Sequence, residues 1–416
     1  MSSYVPPNTR NTGNVMSGFL DSDYVYGTHI KNDGECLAFR WHYPTGNVET
    51  IDMRSIAGNA MDMPLEDLND GHYTLETGVD DQDHVFIAGN HHENVSRPNT
   101  PHLIQCTNVG DFTNPSSWIL ANTDHWSATS DAGNHPGLYT YHRFDRYSDG
   151  TLVQVSSQLD NPGYSRGRDV IGFRRQAGVW TALASDGHIA ETFNVPNNSG
   201  PANRVYLLSI RITKLQNNNE RLHYYGIWRT ADFDANSQKA PFYIYSDDKG
   251  ATWYNVSGEL QAMPRTWANR ASAEITPAPT YSPTTRDSLV IDPITQAPTV
   301  VIRNENTTEY WRITWQPATQ QWTHTIYDIS GGETREHRWK GEIWVQHTRN
   351  WQATLTRLAQ PRVYISIGGR QPRAAGTLVT HCPVLLREKD LLVFNIGNGD
   401  MPVLRTLGDN ARRRSV

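Results

Sequence analysis

The chain has 416 residues, 37% of them hydrophobic, with 13 Trp and 19 Tyr and a formal net charge of -6. That length can bury a sizeable core, and closed β architectures can absorb it as one domain. The mild negative charge argues against a general nucleic-acid binder, which needs a basic surplus to neutralise phosphates.

The opening stretch, MSSYVPPNTRNTGNVMSG, has neither a basic segment nor an apolar core, so no signal peptide is expected. No apolar run reaches the roughly 18–20 residues of a membrane-spanning helix. Residues 1–25 read as an irregular strap. From 26 to 405 one pattern recurs: a turn rich in Asp, Asn, Gly or Lys, then a short alternating or apolar run. It reads NDGECLAFRW from Asn32, DDQDHVFIAGN from Asp80 and YSDGTLVQVSS from Tyr147. It continues as NNNERLHYYGIWR from Asn217 and DPITQAPTVVIRN from Asp292, then WKGEIWVQH from Trp339 and EKDLLVFNIGN from Glu388. A tight turn opening a strand explains each copy. Their spacing, about 50–75 residues, suits four strands per unit with variable loops.

Apolar residues seldom recur at helical spacing, and alternation is common instead, as in HVFIAG and TLVQVS. The loop clusters NVPNNSGPAN (Asn194–Asn203) and TPAPTYSPTT (Thr276–Thr285) are too short to link domains. The expectation is one all-β domain whose sheets repeat radially, followed by a basic tail over 406–416 that carries Arg412, Arg413 and Arg414. Cys36, Cys106 and Cys382 are far apart and odd in number, so they form no disulfide framework. His381 and Cys382 supply two metal donors where zinc needs more. No cofactor is expected, although the sequence leaves room for a structural cation.

Between Ser246 and Trp253 the chain reads SDDKGATW, which fits Ser-x-Asp-x-Gly-x-Thr-Trp. An aspartate here can accept hydrogen bonds from turn amides, and the glycine supplies a positive φ. The tryptophan folds back as an apolar plug. The motif is identified as an Asp-box, or BNR repeat, of β-propellers, and it reads as a turn staple away from any ligand.

A wider resemblance rests on the order of four segments: DGHYTLETGVDDQDHVFIAGNHHENV (Asp70–Val95), YTYHRFDRYSDGTLV (Tyr139–Val153), the pair RVYLLSIRI and LHYYGIWR (Arg204–Arg229), and the Asp-box. Over about residues 25–310 it resembles the BNR-repeat family that includes ulvan-lyase-type polysaccharide lyases. The resemblance implies a seven-bladed β-propeller of four-stranded antiparallel blades. It places the substrate in a cleft at the central channel, with His, Tyr and Arg as working groups. Carried over residue by residue, it implies His92, His142, Tyr206 and Arg229 as catalytic, and His91, Tyr224 and Tyr225 as substrate-binding. Which of His91 and His92 matches the family histidine stays open.

That set suits β-elimination on a uronate-containing glycan. A cation must neutralise the carboxylate, a base must take the C5 proton, and an acid must protonate the leaving oxygen. Arg or charged His suits the first task, His or Tyr the others. Sialidases also carry Asp-boxes, but their Phe/Tyr-Arg-Ile-Pro motif is missing, and AFRWHYP around Arg40 departs from it. The expected function is glycan recognition, as a bacteriophage minor tail or receptor-binding protein that engages host polysaccharide. Its location would then be the virion tail, with other tail proteins as partners. The alternatives are a polysaccharide lyase, extracellular by a route other than a signal peptide, and a purely structural tail component. Neither nucleic acid nor membrane insertion is expected.

Overall fold

The structure is a computed structural model that describes residues 3–4, 16–21, 23–31, 35–42, 44–56, 75–89, 103–121, 139–159, 168–184, 187–190, 202–230, 238–277, 289–292, 294–303, 309–328, 334–339, 342–349, 352–357, 363–366, 384–386, 391–395, 404–406 and 414–415. Among them there is no α-helix; strands and short 3-10 turns make up the elements.

A two-residue strand, β1 (Ser3–Tyr4), comes first. The first sheet is β2 (Met16–Asp21), β3 (Tyr24–Ile30), β4 (Cys36–His42) and β5 (Asn47–Asp52). The second is β6 (Leu75–Val79), β7 (Val85–Gly89), β8 (Leu103–Cys106) and β9 (Trp118–Leu120). The third is β10 (Tyr139–Arg146), β11 (Leu152–Leu159), β12 (Arg168–Gln176) and β13 (Val179–Ala182), with β14 (His188–Ala190) also paired to β12. The fourth is β15 (Ala202–Lys214), β16 (Glu220–Thr230), β17 (Gln238–Ser246) and β18 (Tyr254–Asn255). The fifth is β19 (Val290–Ile291), β20 (Pro298–Arg303), β21 (Glu309–Gln316) and β22 (Gln321–Asp328).

The sixth sheet is β23 (Thr334–Trp339), β24 (Glu342–Arg349), β25 (Gln352–Arg357) and β26 (Val363–Ser366). The last is β27 (Val384–Leu386), β28 (Leu391–Asn395) and β29 (Leu404–Thr406). Here β1 pairs with β29, so a strand from each end of the chain meets in one sheet. A final strand, β30 (Arg414–Ser415), pairs with β26. Residues 1–25, expected as an irregular strap, thus contain the paired strands β1 and β2, and the stretch expected as a tail contains β30.

Each recurrent segment of the sequence falls in a different sheet. Those from Asp80, Tyr147, Asn217, Asp292, Trp339 and Glu388 lead into β7, β11, β16, β20, β24 and β28, each the second strand of its sheet. The segment from Asn32 leads into β4, a third strand. The turns close as their composition demands. Asp80 Oδ1 accepts from the amides of Gln82 and His84, both at 2.9 Å. Asp149 accepts from Thr151 N at 3.0 Å, Asn217 from Asn219 N at 3.0 Å and Asp292 from Ile294 N at 2.9 Å. An Asx side chain that satisfies local amides makes the turn without help from the rest of the fold.

The chain divides into two compact units. Unit 1, Met1–His92 with Thr100–Asn122 and Gly331–Val416, holds the first two and last two sheets. In it the first strands of sheets are neighbours, β23 beside β27, β27 beside β2 and β2 beside β6. Its core packs Cys36 and Ala38 of β4 with Val85 and Ile87 of β7. Cys36 and Cys106 are buried and form no disulfide among the described residues, and burial pushes the Cys106 thiol up to about 11. Arg40 donates to the Glu49 carboxylate and the Val109 carbonyl, so here it serves packing.

Unit 2, Glu93–Asn99 with Thr123–Ser330, holds the third, fourth and fifth sheets. Side chains alternate along β16 and feed two cores. Leu222, Tyr224 and Trp228 pack with Val153, Val155 and Leu183 of the third sheet. Tyr225 and Ile227 face the other way, to Val300, Ile313 and Trp315 of the fifth. Burying each such large side chain is worth about 1.5–3 kcal/mol.

Antiparallel pairing gives the third and fourth sheets two distinct ends. At one, tight turns join β10 to β11, β15 to β16 and β17 to β18. The Asp-box makes the last of these. Asp248 Oδ1 accepts from Thr252 N at 2.8 Å and Ser246 Oγ at 2.8 Å, and Oδ2 accepts from Thr252 Oγ1 at 2.6 Å. Gly250 has a φ of 87°, and Trp253 is buried with its Nε1 donating to Gly250 O at 3.1 Å. The motif also clamps the third sheet. Ala184 N donates to Gly250 O at 2.6 Å, Arg174 donates to Lys249 O at 2.9 Å, and the Lys249 ammonium meets the Asp149 carboxylate.

Candidate functional site

At the other end of these sheets the ladders slip. The β10–β11 register breaks between Thr140 and Arg143, and Tyr141 inside the break has a φ of 52°. Non-glycine residues seldom adopt that left-handed conformation. β15 slips against β16 between Ala202 and Arg204 and again between Leu207 and Ser209. β17 slips against β16 between Ile227 and Trp228, and Ala240 in β17 has a φ of 53°. Bulges and strained residues gather where side chains are re-aimed for function.

The β10 slip buries His142 completely. Its Nδ1 lies 2.7 Å from Ser156 Oγ and 3.4 Å from Gln154 Nε2. Nδ1 donates to Ser156 Oγ in one tautomer of the ring and accepts from it in the other. Gln154, Ser156 and Gln158 share one face of β11, and Asp169 stands opposite Gln158 on β12. All four are buried. The reverse face carries Val153 and Val155 into the apolar core. A buried polar row is costly unless hydrogen bonds offset desolvation, and here Gln154 Oε1 and Gln158 Oε1 have no hydrogen-bond partner among the described residues.

Tyr206 is half-buried on β15, and its ring centre lies 6.2 Å from that of Tyr141 at 49°. The starts of β10 and β15 are neighbours, which sets Tyr206 beside the residue that precedes His142. Arg229 occupies the same end, in register with Arg204 of β15 and Gln238 of β17. His91 and His92 lie outside the described residues, just after β7 ends at Gly89.

Tyr224 and Tyr225, expected to contact substrate, are both fully buried in opposite cores and offer no ring face to a ligand. Tyr224 lies along its own strand over Gly226, where an added Cβ would come 2.6 Å from Tyr224 Oη. Burial pushes its phenol far above the ordinary value. Packing won over exposure because both sides of β16 are covered by neighbouring sheets, which alternation alone does not reveal.

The sequence singled out neither Tyr141 nor the polar row of Gln154, Ser156 and Asp169. Nothing in YTYHRF marks a bulge, and TLVQVSS reads as ordinary alternation. Among the described residues no group of three or more His, Cys, Asp or Glu could hold a metal ion. His381 and Cys382 lie outside those residues.

Among the described residues, seven antiparallel sheets of four or five strands, the third and fourth of them with Asx turns at one end and slipped ladders at the other, define an all-β protein of repeated sheets. The chain belongs to the BNR repeat-containing family, which it matches over residues 26–331. No curated protein matches it. Among solved structures, the polysaccharide lyase Uly1 superposes with a TM-score of 0.65 at 14% identity, covering 95% of this chain and 90% of that one. A PL25 ulvan lyase bound to -[GlcA(1-4)Rha3S]- gives 0.65 at 11% identity, covering 100% of this chain and 97% of its own. Another structure of a PL25 ulvan lyase gives 0.63 at 12% identity, covering 100% and 96%. At such identities the likeness is one of fold.

Proposed function

We propose that the chain is a seven-bladed β-propeller that recognises an acidic polysaccharide at the bulged end of its sheets. The observation that carries the reading is the side-by-side placement of Tyr141, His142 and Tyr206 at the start of β10 and β15, with Arg229 at the same end. The fold shared with solved polysaccharide lyases supports it. Seven sheets of four or five strands among the described residues suit radially repeated blades, an arrangement that leaves only short, protected edges.

The second reading, β-elimination of a uronate glycan, is favoured by the presence of an imidazole, His142, and a phenol, Tyr206, at one end of the sheets. One of the two would take the C5 proton and the other would protonate the leaving oxygen, with Arg229 the cation that neutralises the carboxylate. The setting we propose is a phage tail, where such a propeller would meet a host polysaccharide; detection of the chain in purified virions tests it. For the function, the full chain is titrated with a panel of acidic and neutral polysaccharides while the near-ultraviolet absorbance of unsaturated uronate is followed. Binding confined to acidic members supports recognition, and rising absorbance adds the lyase. Failure to bind any acidic member sinks both.

A further inference from the structure

The loop between β18 and β19 holds a buried cation that the site above does not use. Arg265 is 2% exposed. Its guanidinium donates to the Asn269 carbonyl and, at 3.0 Å, to Ser272 Oγ, while Nε is buried without a partner. No carboxylate among the described residues pairs with it, and burial lowers it to about 10. A buried charge without a counter-ion is costly, and a native fold that keeps one calls for an explanation.

The loop is tied to the bulged end of the sheets. Arg265 N donates to Ile189 O of β14 at 2.9 Å, and Ile275 N to Pro241 O of β17 at 2.7 Å. Trp267 stands edge-on to Trp228, the residue before Arg229, with ring centres 6.1 Å apart. Trp267 is half-buried, and the Arg270 guanidinium lies 3.8 Å over its ring. Arg270 donates to Trp267 O at 2.9 Å, and its Nε is 3.7 Å from Glu274, beyond hydrogen-bond range. In the described part of the loop Glu259 and Glu274 balance Arg265 and Arg270 in number, but Arg265 has no carboxylate partner there and Arg270 has only the long contact to Glu274.

We propose that this loop is a subsite for the oxyanion of an acidic sugar, with Arg270 and Trp267 as its contacts and Arg265 as the residue that positions them. A planar guanidinium fork matches carboxylate and sulfate oxygens alike, and an indole offers a flat apolar surface to a sugar ring. Arg265, by spanning Asn269 and Ser272, sets the turn that displays both contacts, and its uncompensated charge adds to the local field. The inference rests on the proposed recognition of acidic glycans.

The test is calorimetric titration of the full chain with an unsulfated oligoglucuronate, a sulfated oligosaccharide of neutral sugars, and the carboxyl-reduced form of the first. Arg270→Gln should weaken binding of an acidic probe at least tenfold; loss for the first probe identifies a carboxylate, loss for the second a sulfate ester. Arg265→Lys keeps the charge but cannot span both acceptors. It should weaken the acidic probe and add nothing further when combined with Arg270→Gln, whereas an additive loss in the double variant would show that Arg265 acts apart from Arg270 and overturn the positioning role. If Arg265→Lys fails to fold, Arg270→Gln decides alone. Unchanged affinity in Arg270→Gln overturns the subsite and leaves acidic-glycan recognition standing. A wild-type chain that binds neither acidic probe overturns both.

Discussion

The two ends of the third and fourth sheets are made by the same strands and solve different problems. At the turn end, polar groups find partners close by in sequence. Ser246, Asp248, Gly250, Thr252 and Trp253 close on one another, and the positive φ values fall on Lys249 and Gly250 inside the turn. At the bulged end, positive φ falls on Tyr141 and Ala240, within strands, and His142 reaches across the ladder to Ser156. The first end is ordered by local chemistry. The second is held by its surroundings, which is the condition under which strain can be kept for function.

The sharpest way to break this contrast is Trp253→Ala. Removing a fully buried indole should cost about 3–5 kcal/mol, read as a fall in the denaturant midpoint. Glycan affinity per folded molecule should stay the same, and a loss of binding in the folded protein would show that the two ends are coupled. Gly250→Ala comes next. Its φ of 87° costs a side chain about 1–2 kcal/mol. A Cβ there would also sit 2.5 Å from Leu183 Cδ2, and relieving that contact should bring the total to about 2–3 kcal/mol. The expected result is a lower thermal midpoint with the third and fourth sheets loosened together.

The reverse pattern is expected from Arg229→Ala. Glycan affinity should drop about 10- to 100-fold, or about 1.4–2.8 kcal/mol, and any lyase activity should vanish, while the unfolding midpoint barely moves. Retained activity would remove Arg229 from the site.

The sequence made the turn end legible and the bulged end largely opaque, for one physical reason. Asp80, Asp149, Asn217 and Asp292 satisfy amides within a few residues, so turn and strand can be read from a short window. The Asp-box residues could be assigned in the same way, although its grip on Leu183, Ala184 and Asp149 could not. Tyr224 and Tyr225 could not be placed because exposure on β16 depends on two other sheets. The slip at Tyr141 and the orientation of His142 depend on β11 and β15, far along the chain. In the loop after β18, Arg265 resembles any loop arginine until its burial is known.

Acid should act on the turn end in particular. Burial alone would raise the Asp248 carboxyl, but hydrogen bonds from Thr252, Ser246 and Ala251 outweigh it and hold it below the ordinary value. Asp149 is likewise held low, with Lys249 and Thr151 outweighing burial. A carboxylate lowered in the folded state contributes stability that is complete above its unfolded value, about 3.9. That contribution is lost as pH falls through the folded value. Hydrogen exchange should therefore show the amides of Thr151 and Thr252 losing protection below about pH 4, ahead of the β10–β11 ladder.

The smallest effect is the most discriminating for the clamp between sheets. Lys249 pairs with Asp149 while its side chain and that of Asp149 are 31% and 44% exposed. Solvent screening limits such a pair to about 0–1 kcal/mol. Lys249→Met keeps the stem near Tyr147 and removes only the charge, so the midpoint at neutral pH should fall by no more than that. The carboxyl of Asp149 should rise toward its ordinary value, and the acid loss of protection at Thr151 should shift upward in pH with it. Thr252, whose partner Asp248 keeps its own hydrogen bonds, should not shift. Were both amides to move together, the pair would be transmitting through the Asp-box. The two sheets would then be one cooperative element at this end, not neighbours joined by a weak surface contact.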